Sequence, residues 1–177
     1  MTEYAVSYAE ALYSLASDEK KSDIILNDLR SICIALAENE GYVKLINAPD
    51  IVFEEKQRLI DEAFGASVDK YVLNLLKILA KNRLFNIVVS LKDEYEKSYN
   101  KDNNIEKATV ICAFELSEAL REKLEAKLNE ITKKTVAAEY VTDKSVLGGF
   151  VVRFSDSQID ASVRGRLEAL KEKLLAI

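Results

Sequence analysis

The chain of 177 residues contains no histidine. Histidine is the commonest general base, the usual partner of a serine or cysteine nucleophile, and the commonest metal ligand. Acid and base chemistry would therefore depend on carboxylate pairs such as Glu54 with Glu55, or Asp156 with Asp160. Capping explains these residues better, because Glu54 and Glu55 fall in the first turn of an expected helix and Asp160 at an expected helix start. We predict no catalytic residue.

Cysteine is nearly as scarce, and Cys33 and Cys112 each lie in an apolar run far from the other. This indicates buried, reduced thiols of a cytosolic protein, and two cysteines without a second ligand pair cannot form a structural zinc site. No run of spaced Asp or Asn residues resembles a calcium loop. Gly148 and Gly149 lack the spacing of a phosphate-binding loop and are expected to permit a bulge or a close backbone approach. We expect no metal and no cofactor.

Glycine, proline and long apolar runs are also rare. Five glycines and one proline leave few breaks for an all-β fold, so helix should dominate. No window approaches the roughly 18 apolar residues that a membrane span needs, and no signal peptide is evident at the start. We therefore expect neither membrane insertion nor export. The formal net charge of −5 argues against binding a phosphate backbone.

Apolar residues recur at helical spacing through the first half of the chain. Gly41 is expected to close the second helix in a left-handed conformation, and Ser67 to cap the fifth. The polar stretch 100–104 separates two patterns of different period, which places a domain boundary there. The fold predicted for residues 1–104 is a bundle of six helices, at about 4–16, 25–37, 42–46, 53–64, 67–82 and 84–99.

Residues 105–177 are predicted to form a small α+β domain of order β-α-β-β-α, so that the whole protein is mainly α. Strands are expected at 108–114, 135–141 and 147–154. Ser117 is expected to cap the helix between the first two strands. The last helix is expected from about Asp160, with four apolar residues on one face: Val163, Leu167, Leu170 and Leu174.

The fifth helix has more apolar faces than one core contact needs, because six apolar residues between 72 and 79 surround most of it. On the first helix, Tyr4, Tyr8 and Ala11 lie to one side of the main apolar stripe. Both sets of residues can be interpreted as core. The alternative is a groove between the two helices that receives an amphipathic helix of another protein, where tyrosine combines apolar area with a polar tip.

Several segments resemble the delta subunit of F-type ATP synthase, known in mitochondria as the oligomycin-sensitivity-conferring protein. The opening YAVSYAEALYSLA resembles the first helix of that family, and LINAPDIVFEEKQRLIDEAF and VLNLLKILAKNRLFNIVVSLKDEY resemble its middle helices. SVLGGFVVRFSDSQIDASVRGRLEALKEKL resembles its C-terminal signature. The signature positions are Gly148, Gly149, Asp160 and Ser162, whereas Ser7 and Leu84 depart from the residues usual in the family.

The resemblance implies a non-catalytic stator subunit of a proton- or sodium-translocating F-type ATP synthase that resists rotor torque. It implies that the helical domain binds the N-terminal helix of an alpha subunit between the first and fifth helices. Tyr8, Ala11 and Ile78 occupy that groove by matching position. Helical spacing adds four neighbours: Tyr4, Leu15, Leu75 and Leu79.

For the second domain, the resemblance implies binding to the C-terminal end of the b subunit. It also implies a monomer within a hetero-oligomeric complex, held peripherally at the cytoplasmic face of the bacterial cell membrane. The competing hypothesis is a nucleic-acid-binding or other adaptor module. A GxxG loop and a strand-borne aromatic pair are both missing and the charge is acidic, so the sequence disfavours nucleic acid.

Overall fold

The computed structural model describes residues 2–143, 146, 148–154, 157–165, 167 and 171. The chain divides into two compact units, Met1–Tyr99 and Asn100–Ile177. The first unit is helical, and the second contains a four-stranded sheet. The prediction of a mainly helical protein with a small sheet is therefore confirmed.

The helices of the first unit follow the apolar periodicity of the sequence, because each buries one apolar stripe. A 3₁₀ turn, Phe85–Ile87, precedes the last of them, so this helix starts later than predicted and continues into the polar stretch expected to follow it. The helices are α1 (Thr2–Asp18), α2 (Ser22–Glu38), α3 (Glu40–Asn47), α4 (Phe53–Phe64), α5 (Lys70–Lys81) and α6 (Val88–Asp102).

Two predicted helix boundaries were wrong. Gly41 lies inside α3, and α2 ends at Asn39 with φ −131°, so no left-handed glycine closes that helix. Asp69, not Ser67, caps α5, because the Asp69 side chain accepts a hydrogen bond from the Tyr71 N–H at 3.0 Å. The Ser67 hydroxyl instead donates to the Phe64 carbonyl at the end of α4.

The core of the helical unit combines aliphatic and aromatic side chains. Tyr95 is its largest fully buried residue, and its ring packs edge-on against Tyr13 with centroids 5.3 Å apart. The Tyr95 hydroxyl donates to the Ser22 carbonyl at 3.2 Å, so its polar atom is satisfied where α2 begins. The first helix contributes small side chains to this core: Ala5, Ala9 and Ala16, together with Leu12.

The second unit contains β1 (Ile105–Cys112), α7 (Glu118–Thr132), β2 (Thr135–Thr142), β3 (Phe150–Arg153) and β4 (Gln158–Asp160). The strand order is β2-β1-β3-β4, in which β1 pairs parallel to β2 and antiparallel to β3, and β4 pairs antiparallel to β3. Helix α7 connects the two parallel strands and buries Leu128 against one face of the sheet. Cys112 is buried in this core and Cys33 is half-buried on α2, both as free thiols.

The end of the second unit differs from the prediction. Asp160 ends a strand that sequence analysis missed, and the helix cap is Ser162, whose hydroxyl oxygen accepts from the Gly165 N–H at 3.0 Å. Residues 163–165, 167 and 171 are helical. The sequence placed Asp160 at the helix start because an aspartate shortly before a serine can either cap a helix or stabilise a turn. In the structure the Asp160 carboxylate stabilises a turn, where it accepts a hydrogen bond from the Ser162 N–H at 2.8 Å. Leu147, Asp156, Leu170 and Leu174 lie outside the described residues.

The glycine pair immediately precedes β3 and lies against this turn. Gly148 and Gly149 have φ of +71° and +77°, and a Cβ on Gly149 would lie 2.5 Å from the Ala161 carbonyl oxygen. The Ala161 N–H donates to the Phe150 carbonyl at 3.0 Å, and the Val163 N–H to the Gly148 carbonyl at 3.2 Å. The predicted close backbone approach is therefore confirmed. The signature residues hold the start of the last helix against the entry to β3.

We expect Gly149→Ala to destabilise the second unit by about 1–3 kcal/mol, because alanine is strained at positive φ and its Cβ meets backbone. Urea unfolding combined with amide hydrogen exchange in each unit measures the effect. Gly41→Ala is the matched control. It lies inside α3 with nothing within 4 Å of the new Cβ, so it should stabilise by up to about 1 kcal/mol. Equal responses of the two variants would contradict the account of the turn.

Candidate partner-binding surface on the helical unit

Helix α1 carries a second stripe beside its core-facing one. Tyr4 is 59% exposed, and Ala11 and Leu15 are also exposed further along the helix. Tyr8, one turn after Tyr4, is half-buried with its ring against the core. These four positions follow one another at three- or four-residue steps, so they share one side of the helix.

Helix α5 presents one apolar residue of this predicted set to solvent. Ile78 is 46% exposed, while Leu75 and Leu79 are 7% and 0% exposed and belong to the core. The prediction that these two leucines present surface to a partner is wrong for this structure. They share the inward face with Val72 and Leu76 at helical spacing, which leaves Ile78 on the outward face.

Two asparagines that sequence analysis did not single out complete the outward stripe of α5. Asn74 and Asn82 lie four residues before and after Ile78, and both are exposed. The Asn82 side-chain Nδ2 donates to the Tyr8 hydroxyl oxygen at 3.2 Å, which joins the end of α5 to α1. Their four-residue spacing from Ile78 could have identified Asn74 and Asn82 from the sequence. No sequence pattern predicts the contact between Asn82 and Tyr8, because these residues lie 74 positions apart. The name α1–α5 surface denotes Tyr4, Tyr8, Ala11, Leu15, Asn74, Ile78 and Asn82.

The other end of α5 is tied to residues before and within α2. The Lys21 Nζ lies 2.8 Å from the Asp69 Oδ2, and the Asp69 N–H donates to the Asp28 carboxylate at 2.7 Å. The hydrogen bond from Lys21, together with that from the Tyr71 N–H, lowers the pKa of Asp69. The same contact raises the pKa of Lys21. Helix α5 is therefore held at its first residues by an ion pair and at its last by an amide.

Two of the three lysines of α5 are directed to its neighbour α4. The Lys77 ammonium lies 2.6 Å from an Asp61 carboxylate oxygen, and Lys81 stands over the Phe53 ring, 5.9 Å from its centroid. The α1–α5 surface itself consists of aromatic, aliphatic and amide side chains. Such a surface supports binding rather than bond chemistry, because none of its groups is a nucleophile paired with a base.

The two positions that depart from the family pattern have local roles. The Ser7 hydroxyl donates to the Glu3 carbonyl oxygen at 3.1 Å within α1. Leu84 is half-buried against the helical core. Neither belongs to the α1–α5 surface as defined here.

In the described part of the chain, no group of three or more acidic or cysteine side chains is placed to hold a metal ion. Among the same residues, no helix has the length and apolar character needed to cross a membrane.

The fold and this surface define the class of protein, a chain of two compact units whose helical unit exposes an apolar stripe. Residues 5–174 match the family model described as ATP synthase delta (OSCP) subunit. The ATP synthase subunit delta of Clostridioides difficile (strain 630) is 32% identical over 94% of this chain and 93% of its own length. That of Flavobacterium johnsoniae is 34% identical over 98% and 97%. The chain belongs to the ATP synthase delta (OSCP) subunit family.

A solved structure supports the fold. A chain in the cryo-EM structure of the Toxoplasma gondii mitochondrial ATP synthase hexamer superposes with a TM-score of 0.68 at 24% identity, covering 98% of both chains. Membership of the family makes this chain a structural, non-catalytic stator component of the peripheral stalk of F-type ATP synthase. It is peripherally associated with that complex.

The ion pair at the start of α5 predicts a specific response to pH. The lowered pKa of Asp69 means that its contribution to stability is present above the unfolded value near 3.9 and is lost as pH falls through the folded value. Wild type should therefore be more stable than Asp69→Asn at pH 7, and the difference should shrink as pH falls below the unfolded pKa and vanish only below the lowered folded pKa of Asp69. Asparagine retains a cap oxygen for the Tyr71 N–H, so the comparison measures the loss of the carboxylate charge that Lys21 and this N–H stabilise.

Urea unfolding of the helical unit at a series of pH values between pH 7 and acid measures this difference. Asp50→Asn, at an exposed position of the same unit, is the matched control and should follow wild type throughout. A difference between wild type and Asp69→Asn that persists unchanged into acid would contradict the ion-pair account.

Proposed function

We propose that the six helices α1–α6 form one bundle, within residues 1–104, that binds the N-terminal helix of an alpha subunit at the α1–α5 surface. Residues 105–177 then form the domain that binds the C-terminal end of the b subunit. In this arrangement one copy of the chain links the catalytic head to the peripheral stalk. The complex is held at the cytoplasmic face of a bacterial cell membrane.

The observation that carries the first half of this proposal is the pairing of exposed apolar stripes on two helices. Tyr4 and Leu15 on α1 and Ile78 on α5 are large apolar side chains that the core does not use. The hydrogen bond between Asn82 and Tyr8 ties the two stripes together. An amphipathic helix binds such a surface by placing apolar residues at i, i+3, i+4 and i+7 along it.

The small side chain of Ala11 is exposed between Tyr8 and Leu15. A small residue between larger ones allows the backbone of a docking helix to approach closely, while the flanking side chains bury apolar area at about 25 cal/mol per Å². The burial of Leu75 and Leu79 supports the same function indirectly. They hold α5 in the core, so that Ile78 is presented without rearrangement, which reduces the ordering cost of binding.

A matching surface on the α/β unit supports the second half of the proposal. Val163 and Leu167 are 50% and 63% exposed and lie one helical turn apart, immediately after the Ser162 cap. The turn that contains Gly149 and Asp160 fixes where this helix begins. An exposed apolar pair on a capped helix is suited to packing against a helical stalk.

A stator transmits torque, so both of its contacts must resist separation while no bond is made or broken. Binding energy spread over two separate surfaces meets this requirement, because linking two binding modules in one chain raises overall avidity without new contacts. Each unit has its own hydrophobic core. Neither contact is therefore required to drive the folding of the unit that makes it.

We expect Ile78→Asp to weaken binding of an alpha-subunit N-terminal peptide at least tenfold, because the substitution buries a charge in an apolar contact. Tyr8→Asp should have a similar effect. Isothermal titration calorimetry on the full chain measures both affinities, with circular dichroism to confirm folding. Ile34→Asp, at an isoleucine on α2 that is 63% exposed against 46% for Ile78, is the control and should bind as wild type. Undiminished affinity of Ile78→Asp would exclude the α1–α5 surface.

For the α/β unit we expect Leu167→Asp to weaken binding of a C-terminal fragment of the b subunit at least tenfold. Binding of the alpha-subunit peptide should be unchanged in the same protein. Leu45→Asp, at an exposed leucine of the helical unit, provides the reciprocal control for binding of the b fragment. Loss of both activities in Leu167→Asp, or of neither, would contradict the assignment of separate partners to the two units.

A further inference from the structure

The hydrogen bond between Asn82 and Tyr8 leaves the Tyr8 hydroxyl of the α1–α5 surface able to donate one further hydrogen bond. The Asn82 amide donates to the Tyr8 oxygen, so the tyrosine acts there as an acceptor. A phenolic hydroxyl also has one hydrogen to donate. Among the residues that the structure describes, Tyr8 has no second hydrogen-bond partner. Its O–H is therefore available to a group outside this part of the chain.

Both members of the pair are held in place by their surroundings. The Tyr8 ring packs against the core of the helical unit. Asn82 is the C-cap of α5, and its backbone N–H donates to the Ile78 carbonyl at 3.1 Å. These contacts hold the Tyr8 ring and the Asn82 backbone in position before any partner arrives.

The surroundings of the pair are mainly apolar. Tyr4 and Ala11 lie on the same side of α1 as Tyr8, and Ile78 lies one turn before Asn82 on α5. A helix that covers these residues also covers the Tyr8 hydroxyl and removes the water that solvates it. A buried donor left without an acceptor costs more than a typical hydrogen bond contributes.

We propose that Asn82 is a specificity-determining residue, which directs the Tyr8 hydroxyl to donate to a side-chain oxygen on the docking helix. This inference rests on the proposed function of the α1–α5 surface as a helix-binding site. It adds a requirement that apolar contacts do not impose. The partner helix carries an amide, hydroxyl or carboxylate oxygen between its apolar anchors, and helices that lack this acceptor are rejected.

Reversing the direction of the hydrogen bond tests the inference. In Asn82→Asp a carboxylate, which only accepts, takes the Tyr8 hydrogen, so the pair remains but the donor is lost to the partner. We expect Asn82→Asp and Tyr8→Phe each to bind the alpha-subunit N-terminal peptide about tenfold more weakly, as measured by calorimetry on the full chain.

Asn27→Asp is the matched control, since it adds the same charge to an exposed asparagine of α2 outside the α1–α5 surface. It should bind within twofold of wild type. Equal losses in Asn27→Asp and Asn82→Asp would overturn the inference by showing that charge alone is responsible. Wild-type affinity in Tyr8→Phe would also overturn it. Tyr8→Phe keeps the ring that packs on the core, so the test does not depend on the folding of Asn82→Asp.

The result for Ile78→Asp separates this inference from the function on which it rests. If Ile78→Asp weakens binding while Asn82→Asp and Tyr8→Phe bind as wild type, the surface is a helix-binding site without the proposed selectivity. If the wild-type protein does not bind the peptide, both proposals are overturned. Urea unfolding of each variant shows whether a loss of affinity reflects a loss of structure.

Discussion

Burial of the inward face of α5 is the constraint on which the rest of the helical unit depends. Val72, Leu75, Leu76 and Leu79 remove one side of this helix from water, and this burial is the main source of its stability because isolated helices of twelve residues are marginal. Burial of this face determines which side chains of α5 remain exposed. Ile78 is exposed because the residues around it are needed inside.

The polar contacts at the two ends of α5 restrict the rotation of the buried helix about its own axis. Hydrophobic contacts alone tolerate rotation of a helix about its axis, whereas hydrogen bonds and ion pairs have preferred geometry. Asp69 binds the Tyr71 N–H, Lys21 and the Asp28 carboxylate acceptor at one end, and Asn82 binds Tyr8 at the other. The orientation of the α1–α5 surface is thus set by groups that contribute little to its area.

The α/β unit solves a different problem, which is to start a helix directly after a short edge strand. The backbone at Gly149 passes so close to Ala161 that no side chain fits between them. The Ser162 hydroxyl and the Asp160 carboxylate satisfy backbone N–H groups at the helix start, and the hydrogen bonds from Ser162 lower the pKa of Asp160. Such fixed geometry suits a structural, non-catalytic stator component of F-type ATP synthase.

The sequence by itself determined the order and type of the helices and of three of the four strands, because apolar periodicity records which side of an element is buried. It also determined the need for glycine before β3 and, through its motifs, the resemblance to the family. Tertiary structure decided which of several nearby polar residues caps a helix, as at Asp69 and Ser162, because a cap depends on the direction of the incoming chain. It also decided that Leu75 and Leu79 face inward while Ile78 faces out. A helix that is apolar on several sides does not record which side its neighbours cover, and Asn82 meets Tyr8 only because folding brings together residues far apart in the chain.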